Sequence, residues 1–401
     1  MATADQTRRP LVSAVMREGE QVKPLELFFD LVFVLAITQC TALMADQPTW
    51  EGLAKGLLVL ALLWWTWCGY AWLTSVVDPD EGAVRIAIFA AMAALLVIAL
   101  CVPRAFDDLA LTFAVAYGAV RAAHIALFVI ASREDRELRR SVNGLAVSTA
   151  MGVGLILFAT AFDGATQGAI WAVALALDYG LPYFVGTEGW SLVPQHFAER
   201  HGLIMIIALG ESIVAIGIGA GADITAGVVT AAVLGIVLVA MMWWAYFDVV
   251  ALVAARRLAS IESRRERNAM ARDSYSYLHL PMVAGVVLLA LGLKTTLAHV
   301  DDPLEIEIAV ALLGGFSLYL LAHVAFRLRN VHSLNRRRLV VAALTIALIP
   351  LALEIASLAT LAILTGIACA LIAYEAIRYA DARDRVRHEL ATSAAAPGQS
   401  G

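Results

Sequence analysis

Residues 84–102 read VRIAIFAAMAALLVIALCV, and Arg85 is the single charged residue in this stretch. An α-helix needs roughly 17 to 25 apolar residues to cross the hydrocarbon core of a bilayer. Runs of this kind follow one another along most of the 401-residue chain, in which 61% of residues are hydrophobic and 16% are charged. Because backbone polar groups in lipid must be satisfied within each segment, these runs predict membrane-spanning helices.

The apolar runs between charged or Gly/Pro positions predict an all-α, polytopic transmembrane bundle of about twelve spans. Its main partner is the lipid bilayer, and neither nucleic acid nor a separate soluble domain is expected. The predicted spans are 25–45, 54–76, 84–102, 107–131, 142–161, 168–186, 200–219, 225–250, 275–298, 306–326, 338–356 and 359–379.

The positions of the basic residues predict the orientation. If the N-terminus is inside, 25 of the 29 Lys and Arg residues fall in inner segments, Arg200 among them. Lys55 and Arg104 fall outside, and Arg121 and Lys294 fall within spans. Because cytoplasmic loops are rich in Lys and Arg, both termini are expected to be cytoplasmic.

Five sequence echoes in the same order predict that two six-helix repeats, 25–186 and 200–380, are joined by a linker at 187–199. Their offsets run from about 173 to 199 residues, and duplicated halves of this kind occur in several transporter folds. The matched positions are Glu26 with Glu199, Trp64-Trp65 with Trp243-Trp244, His124 with His323, Arg139-Arg140 with Arg337-Arg338, and Asp178-Tyr179 with Tyr374-Glu375.

The remaining segments carry no sign of chemistry. Residues 1–24 and 381–401 are predicted to be cytoplasmic tails, the second one disordered. The four cysteines lie in or beside apolar runs without metal-type spacing, so they predict packing residues and no metal site. Nucleotide-binding and hydrolase motifs are lacking, so we expect no catalytic residue, no cofactor and no enzyme.

Ionisable residues within spans are the candidates for function, because each costs roughly 2.5 to 3.5 kcal/mol on insertion scales. One interpretation is a polar pathway that binds a cation or relays protons; the other is a set of buried ion pairs, such as Arg121 with Asp178 or Asp30, or side chains that cap helix ends. The candidate residues are Glu26, Asp30, Arg121, His124, Asp178, Glu199, His201, Glu211 and His323.

Two aromatic stretches allow similar alternatives. WWTWCGYAW, residues 64–72, and MMWWAYF, residues 241–247, either line a binding cavity or form a belt at the membrane surface together with packing contacts.

Two segments resemble the signatures of the bacterial low temperature requirement A family of multi-span membrane proteins. They are PLELFFDLVFVLAITQ at 24–39 and AERHGLIMIIALGESIVAIG at 198–217. The resemblance covers nearly the whole chain and implies a bacterial inner-membrane location. It draws attention to the residues that match the family pattern, Glu26, Phe29 and Asp30 in the first segment and Glu199, Arg200, Gly202, Gly210 and Glu211 in the second.

The first span is also similar to the first helix of the endosomal and lysosomal potassium channel family, although Phe29 replaces a serine of that motif. The sequence therefore leaves three functions open. A proton- or ion-coupled transporter of an unknown small solute predicts that Asp30, Arg121, Asp178 and Glu211 converge on one cavity. A cation channel predicts a homodimer in which the first and seventh helices line one shared pore, with a hydrophobic constriction near Ile37. The third is a membrane-embedded enzyme or a non-transporting protein.

Overall fold

The computed structural model describes residues 21–80, 82–133, 135–185, 189–378 and 380. The predicted tails lie outside these ranges except for residues 21–24. The described chain is helical throughout, apart from loops and one isolated bridge between Pro303 and Ala356. The helices are α1 Pro24–Asp46, α2 Trp50–Val76, α3 Gly82–Cys101, α4 Ala110–Ala131, α5 Arg136–Ala159, α6 Gly164–Val185, α7 Pro194–Ala220, α8 Ala226–Phe247, α9 Val250–Ala259, α10 Arg264–Met270, α11 His279–Ala298, α12 Ile306–Ala309, α13 Gly315–Val331, α14 Arg336–Ala347, α15 Ile349–Ala352 and α16 Ser357–Arg378.

Ten helical stretches of the described chain are long and apolar enough to cross a bilayer. Large apolar side chains such as Ile86, Leu100 and Phe184 point outward from the bundle. A surface of this kind requires lipid, so the protein is a multi-pass membrane protein. The other two predicted spans correspond to the 22-residue α6 and to the interrupted pair α14 and α15, and the count of twelve stays a prediction.

The two ends of the bundle differ in charge. The end at which α1 begins carries Lys23, Arg133–Arg140, Arg256–Arg272 and Arg327–Arg338, and we call it the basic end. We call the opposite end the acidic end, because nearly all charged residues in and beside its loops are Asp or Glu. These are Asp46, Asp107, Asp108, Asp163, Asp223, Asp301, Asp302, Glu305 and Glu354.

Helices of the two halves have neighbours in a similar order. In the first half α1 packs on α2 and α3, α3 on α4, α4 on α5, and α5 and α2 on α6. In the second half α7 packs on α8 and α11, α11 on α13, α13 on α14, and α14 and α8 on α16. This is the order that a duplication produces, while the duplication and its domain boundaries stay predictions.

Several helix boundaries differ from those predicted, among them the start of α5, which lies at Arg136 rather than at 142. The linker expected at 187–199 is too long, because α7 begins at Pro194, whose fixed φ suits the first helical turn. The eighth span continues into α9. The ninth begins at Arg264 and contains a π-helical segment, Ala271–Tyr277, which apolar periodicity does not indicate.

Glycine contacts hold α11 against α13. A Cβ atom on Gly285 would lie 2.6 Å from the carbonyl oxygen of Gly315 and 2.8 Å from the backbone nitrogen of Tyr319. Both obstacles are backbone atoms, which cannot turn away as a side chain can. Small residues allow the two helices to approach closely and so increase their van der Waals contact. In lipid this contact matters because burying apolar surface stabilises helix association very little.

Gly285→Ala is therefore expected to lower the free energy of unfolding by about 1 to 3 kcal/mol, because it overpacks the contact. The matched control is Gly366→Ala on α16, where a Cβ atom meets nothing within 4 Å. That exchange is expected to raise the free energy of unfolding by ~0.5 to 1 kcal/mol through helix propensity. Unfolding of the purified variants by heat or denaturant measures both, and shifts of the same sign would contradict the packing argument.

Candidate functional site

A buried charge cluster joins α1 to α7 near the basic end. Glu26 and Asp30 lie one turn apart on α1, and His196 and Arg200 lie one turn apart on α7. Arg200 contacts Asp30 at 2.7 Å and Glu26 at 3.1 Å, and His196 contacts Glu26 at 2.9 Å. All four side chains are at most 1% exposed. The arginine lies between two carboxylates, so the cluster locks the first helices of the two halves together.

Side chains of α2 complete this cluster. Trp67 Nε1 donates to Asp30 at 2.8 Å, Ser75 lies 3.1 Å from His196, and the Arg200 guanidinium lies 5.6 Å from the Trp67 ring centroid. Two carboxylates face one arginine, so the cluster is neutral only when it holds one further proton on His196 or on a carboxyl group. Its partners are those of a structural ion-pair network.

A second ion pair lies within the first half. Arg121 on α4 and Asp178 on α6 are almost fully buried, and Arg121 Nη2 contacts Asp178 at 2.9 Å and Thr149 on α5 at 2.7 Å. The predicted pairing of Arg121 with a carboxylate is confirmed, and the partner is Asp178 rather than Asp30. The guanidinium Nε forms no hydrogen bond with any described residue.

A third ion pair lies near the basic end of the second half. Arg338 on α14 contacts both carboxylate oxygens of Glu375 on α16, at 2.8 and 3.1 Å, and its Nη1 lies 2.9 Å from His323 Nδ1 on α13. Asn335 also donates to Glu375. His323 is thus held by an arginine and belongs to a structural network.

Glu211 differs from all of these groups. It lies on α7 with 2% exposure, and its Oε2 hydrogen-bonds to the hydroxyl of Thr38 on α1. Among the described residues no cation lies within ion-pair distance of it. Lys294 on α11 is the positively charged residue that interacts electrostatically with Glu211, at a distance longer than that of an ion pair.

A polar cavity of about 650 Å³ lies above Glu211, between α1, α7 and α11 at the acidic end. Its walls include Ala42 and Gly219, and Lys294, whose charge acts on Glu211, also lines it. Ala42 is one helical turn beyond Thr38, and Gly219 about two turns beyond Glu211. The cavity is wide enough for many water molecules and has polar partners for them. The charged residues that line it are Asp46, Lys294, His299, Asp302 and Glu305.

His124 lies on a smaller cavity of about 80 Å³ in the part of the bundle nearest the basic end. It is 1% exposed, and neither ring nitrogen forms a hydrogen bond of ordinary geometry with a described residue. Its ring lies so close to Gly69 that a Cβ atom there would come within 2.8 Å. Trp65 and Trp72 line the same cavity. The aromatic stretch of α2 therefore lines a cavity, the first of the two roles predicted for it. Trp64 and Trp67 are fully buried, so α2 forms no surface belt.

The nine predicted residues therefore do not meet in one pathway. Asp30, the Arg121–Asp178 pair and Glu211 lie in three separate clusters. Glu199 is exposed on α7 and joins none of them. His201 is buried in an aromatic cluster, 4.9 Å from the Trp67 ring and 5.2 Å from His279, with its Nδ1 against the carbonyl oxygen of Phe197. Ile37 is buried in the core.

Sequence reasoning assigns no role to His196, Arg338 or Thr38, and it names Arg200 only as a residue of the family pattern. The basic-residue distribution places Arg200 and Arg338 in inner segments. Both arginines are nevertheless buried near the basic end, with 1% and 5% exposure. The spacing of His196 and Arg200 by one helical turn is the signal that could have revealed them.

The described residues include no group of three or more His, Cys, Asp or Glu side chains that could hold a metal ion. All four cysteines are free, and Cys40, Cys68 and Cys101 are buried.

Two comparisons place the chain among known sequences. The family model described as Bacterial low temperature requirement A protein (LtrA) matches residues 21–373. A protein of Rhizobium meliloti (strain 1021), named as uncharacterized, is 30% identical over 307 residues, which cover 74% of this chain and 74% of that protein. No solved structure matches the chain.

Proposed function

The chain belongs to the bacterial low temperature requirement A family, and from its buried charges we propose that it is a secondary transporter coupled to protons or another small cation, with Glu211 as the coupling group. One observation carries the proposal. Of the five buried carboxylates among the described residues, four have a cationic partner and Glu211 has none. An unpaired carboxylate is too costly to bury, so this group holds a proton or binds a cation. The other four are Glu26, Asp30, Asp78 and Asp178.

The contacts of Thr38 favour a bound proton. Its hydroxyl has one hydrogen and lies within bonding distance of both the Val34 carbonyl oxygen, at 3.2 Å, and Glu211. The carbonyl oxygen can only accept. Both contacts are full hydrogen bonds at once when Thr38 donates to Val34 and Glu211 donates to Thr38, which requires a protonated Glu211.

The cavity begins about one helical turn beyond Thr38, and we propose that water from it reaches Glu211. Thr41 and Ser212 lie beside Thr38 and Glu211, and their buried hydroxyls form no hydrogen bond of ordinary geometry with described residues. Such groups can exchange protons with water that enters the cavity. Loss of the proton is favoured by Lys294, because its positive charge stabilises a carboxylate.

An apolar layer separates Glu211 from the basic end. It lies between Glu211 and the Arg200 cluster on α1 and α7, and its side chains are at most 1% exposed. A proton on Glu211 can therefore reach one side of the membrane but not the other, as alternating access requires. The layer consists of Phe33, Ile37, Ile204, Met205 and Ala208.

The position of Glu211 also fits a transporter built from two repeats. Thr38 and Glu211 are 173 residues apart, the same separation as Glu26 and Glu199. If the halves are duplicated, α1 and α7 meet at equivalent positions, on the axis that relates the halves. Coupling sites of repeat transporters lie at such interfaces.

We further infer from the charge asymmetry that the basic end faces the cytoplasm at the bacterial inner membrane, with both termini inside. Glu211 then takes its proton from outside, the side from which a proton gradient drives protons inward.

The test uses vesicles that contain the purified protein and a trapped pH-sensitive dye. Under an inside-negative K⁺ diffusion potential, a sugar, an amino acid, a carboxylate and Na⁺ are added outside in turn. At least one is expected to change the internal pH faster than in empty vesicles, because its movement is linked to protons. Glu211→Gln should reduce that rate to the rate of empty vesicles, since an amide cannot release a proton.

Glu354→Gln is the matched control, the same exchange in an exposed loop at the acidic end, and should leave the rate unchanged. The proposal is wrong if no solute changes the internal pH with wild-type protein, or if the Glu211→Gln protein moves protons like wild type.

A further inference from the structure

The cavity beside His124 is lined by buried nitrogens of two basic side chains. Arg121 and His124, one turn apart on α4, both line it. Arg121 Nε has no hydrogen-bond partner among the described residues, and the His124 ring nitrogens have none of ordinary geometry, although the ring lies against the backbone of Gly69 and interacts with it. Both side chains are 1% exposed. Buried polar groups in proteins are nearly always hydrogen-bonded, so these nitrogens point to a missing ligand.

The other walls of the cavity are mainly aromatic. Trp65 and Trp72 of α2, Phe128 of α4 and Trp190 surround it. On the remaining side lies the π-helical segment, where the Ser276 hydroxyl accepts a hydrogen bond from Trp72 Nε1 at 2.9 Å. Insertions of this type recur at functional sites.

From these contacts we propose that the cavity is a binding site for a small monocarboxylate with a short apolar tail. A carboxylate only accepts hydrogen bonds, which suits the Arg121 guanidinium and a protonated His124, whose nitrogens all donate. Its charge-assisted bonds to Arg121 and His124 would be strong in this setting. Its tail would pack on the tryptophan rings.

The size of the cavity limits the ligand. Its volume of about 80 Å³ is roughly half that of a 150 Å³ cavity that binds benzene. Acetate and propionate suit this volume, and a six-carbon chain does not.

The charges around His124 favour the uptake of a proton together with the anion. Arg121 is already neutralised by Asp178 at 2.9 Å. Arg272 shares Asp273 with Arg329, at 2.8 and 3.1 Å, but these three side chains are 14 to 31% exposed, so solvent screens their remaining positive charge. A carboxylate alone would therefore leave one negative charge beside the buried Arg121–Asp178 pair. A proton taken up by His124 restores neutrality. The charged and titratable groups that face His124 come from four elements: Arg121 on α4, Asp178 behind it on α6, Tyr70 and Cys68 on α2, and Arg272 on the π-helical segment. Helix α5 contributes only uncharged residues, which are Ser141, Gly144, Leu145 and Ser148.

The site differs from the proton site proposed above in position and in side chains. Its test measures binding at equilibrium, so the result does not depend on transport. Loss of flux in Glu211→Gln with intact carboxylate binding, or the reverse, separates the two proposals.

The experiment measures binding of radiolabelled propionate to the full-length protein in detergent, with competition by unlabelled compounds. Propionate should compete at least tenfold better than the isosteric propionamide, which lacks the charge, and better than hexanoate. Such a ratio corresponds to one charge-assisted hydrogen bond. Affinity should fall as the pH rises, by up to tenfold per pH unit, because one proton binds with each anion.

Two variants test the residues. His124→Asn should weaken propionate binding at least tenfold and remove its pH dependence, and Leu145→Trp should block the cavity. The matched controls keep wild-type binding. His332→Asn makes the same exchange at an exposed residue whose φ of 51° suits asparagine, and Leu157→Trp lies at a lipid-facing position of α5.

Equal competition by propionate and propionamide would overturn the proposal and indicate a site for neutral solutes. Tighter binding of hexanoate would show partition into an apolar surface and would also overturn it. Unchanged binding in His124→Asn, or no saturable binding in the wild-type protein, would do the same.

Discussion

Replacing Arg200 with methionine is expected to lower the free energy of unfolding by about 3 to 5 kcal/mol, the usual cost of removing one partner from a buried ion pair. The guanidinium is 1% exposed and contacts two carboxylates on another helix, at 2.7 and 3.1 Å. Without it Asp30 loses its cationic partner at the junction of the two halves, while Glu26 keeps its contact with His196. Unfolding of the purified variant in detergent, by heat or denaturant, measures the loss.

Arg104→Met is the control for this exchange. Arg104 contacts Asp108 at 3.0 Å, but both side chains are about 60% exposed. Exposed pairs contribute roughly 0 to 1 kcal/mol, so little change is expected. Adding Glu26→Gln and Asp30→Asn to Arg200→Met should restore much of the lost stability, because no buried charge is then unpaired. A single variant as stable as wild type would show that the cluster does not hold α1 against α7.

Arg121→Met is expected to have a similarly large effect, about 3 to 5 kcal/mol, because Asp178 would lose its one cationic partner within the described chain. The informative comparison is the double variant Arg121→Met with Asp178→Leu. Replacing both members of a buried pair by apolar residues is often neutral or stabilising. The double variant should therefore be more stable than either single one.

A double-mutant cycle for Arg121 and Asp178 measures this coupling directly. If the two single effects simply add, the pair is not an electrostatic unit, and the interpretation of Arg121 as a structural residue is wrong. The same result would weaken the claim that Glu211 is exceptional, because that claim rests on the neutrality of the other buried carboxylates.

Several features of the fold could be predicted from the sequence because they follow from composition. Apolar run length and loop charge identified ten spans that the structure contains. An arginine within a span needs a carboxylate, which predicted that Arg121 contacts Asp178 or Asp30, and Asp178 is the partner. The start of the last span was predicted to within two residues, since 359 was expected and α16 begins at Ser357.

The rest could not be read from composition, because it depends on which face a residue occupies. Glu199 and Arg200 are neighbours in sequence, but successive residues on a helix point about 100° apart. Arg200 faces the carboxylates of α1, whereas Glu199 is exposed. A basic residue near a helix end looks like a loop charge until its partners on another helix are known. For the same reason the cavity beside His124, with walls from four helices and a π-helical segment, leaves no local pattern.

The central claim, that Glu211 carries an exchangeable proton inside the membrane, is tested most directly by infrared spectroscopy of the purified protein at neutral pH. The carbonyl stretching band of a protonated carboxyl group should be present in wild-type protein, should shift on transfer to D₂O, and should be missing from Glu211→Gln. Carboxyl groups of the Arg200 cluster would contribute equally to both spectra, so the difference isolates Glu211. Identical spectra of wild type and Glu211→Gln in this region would show that Glu211 is ionised, and would contradict the account.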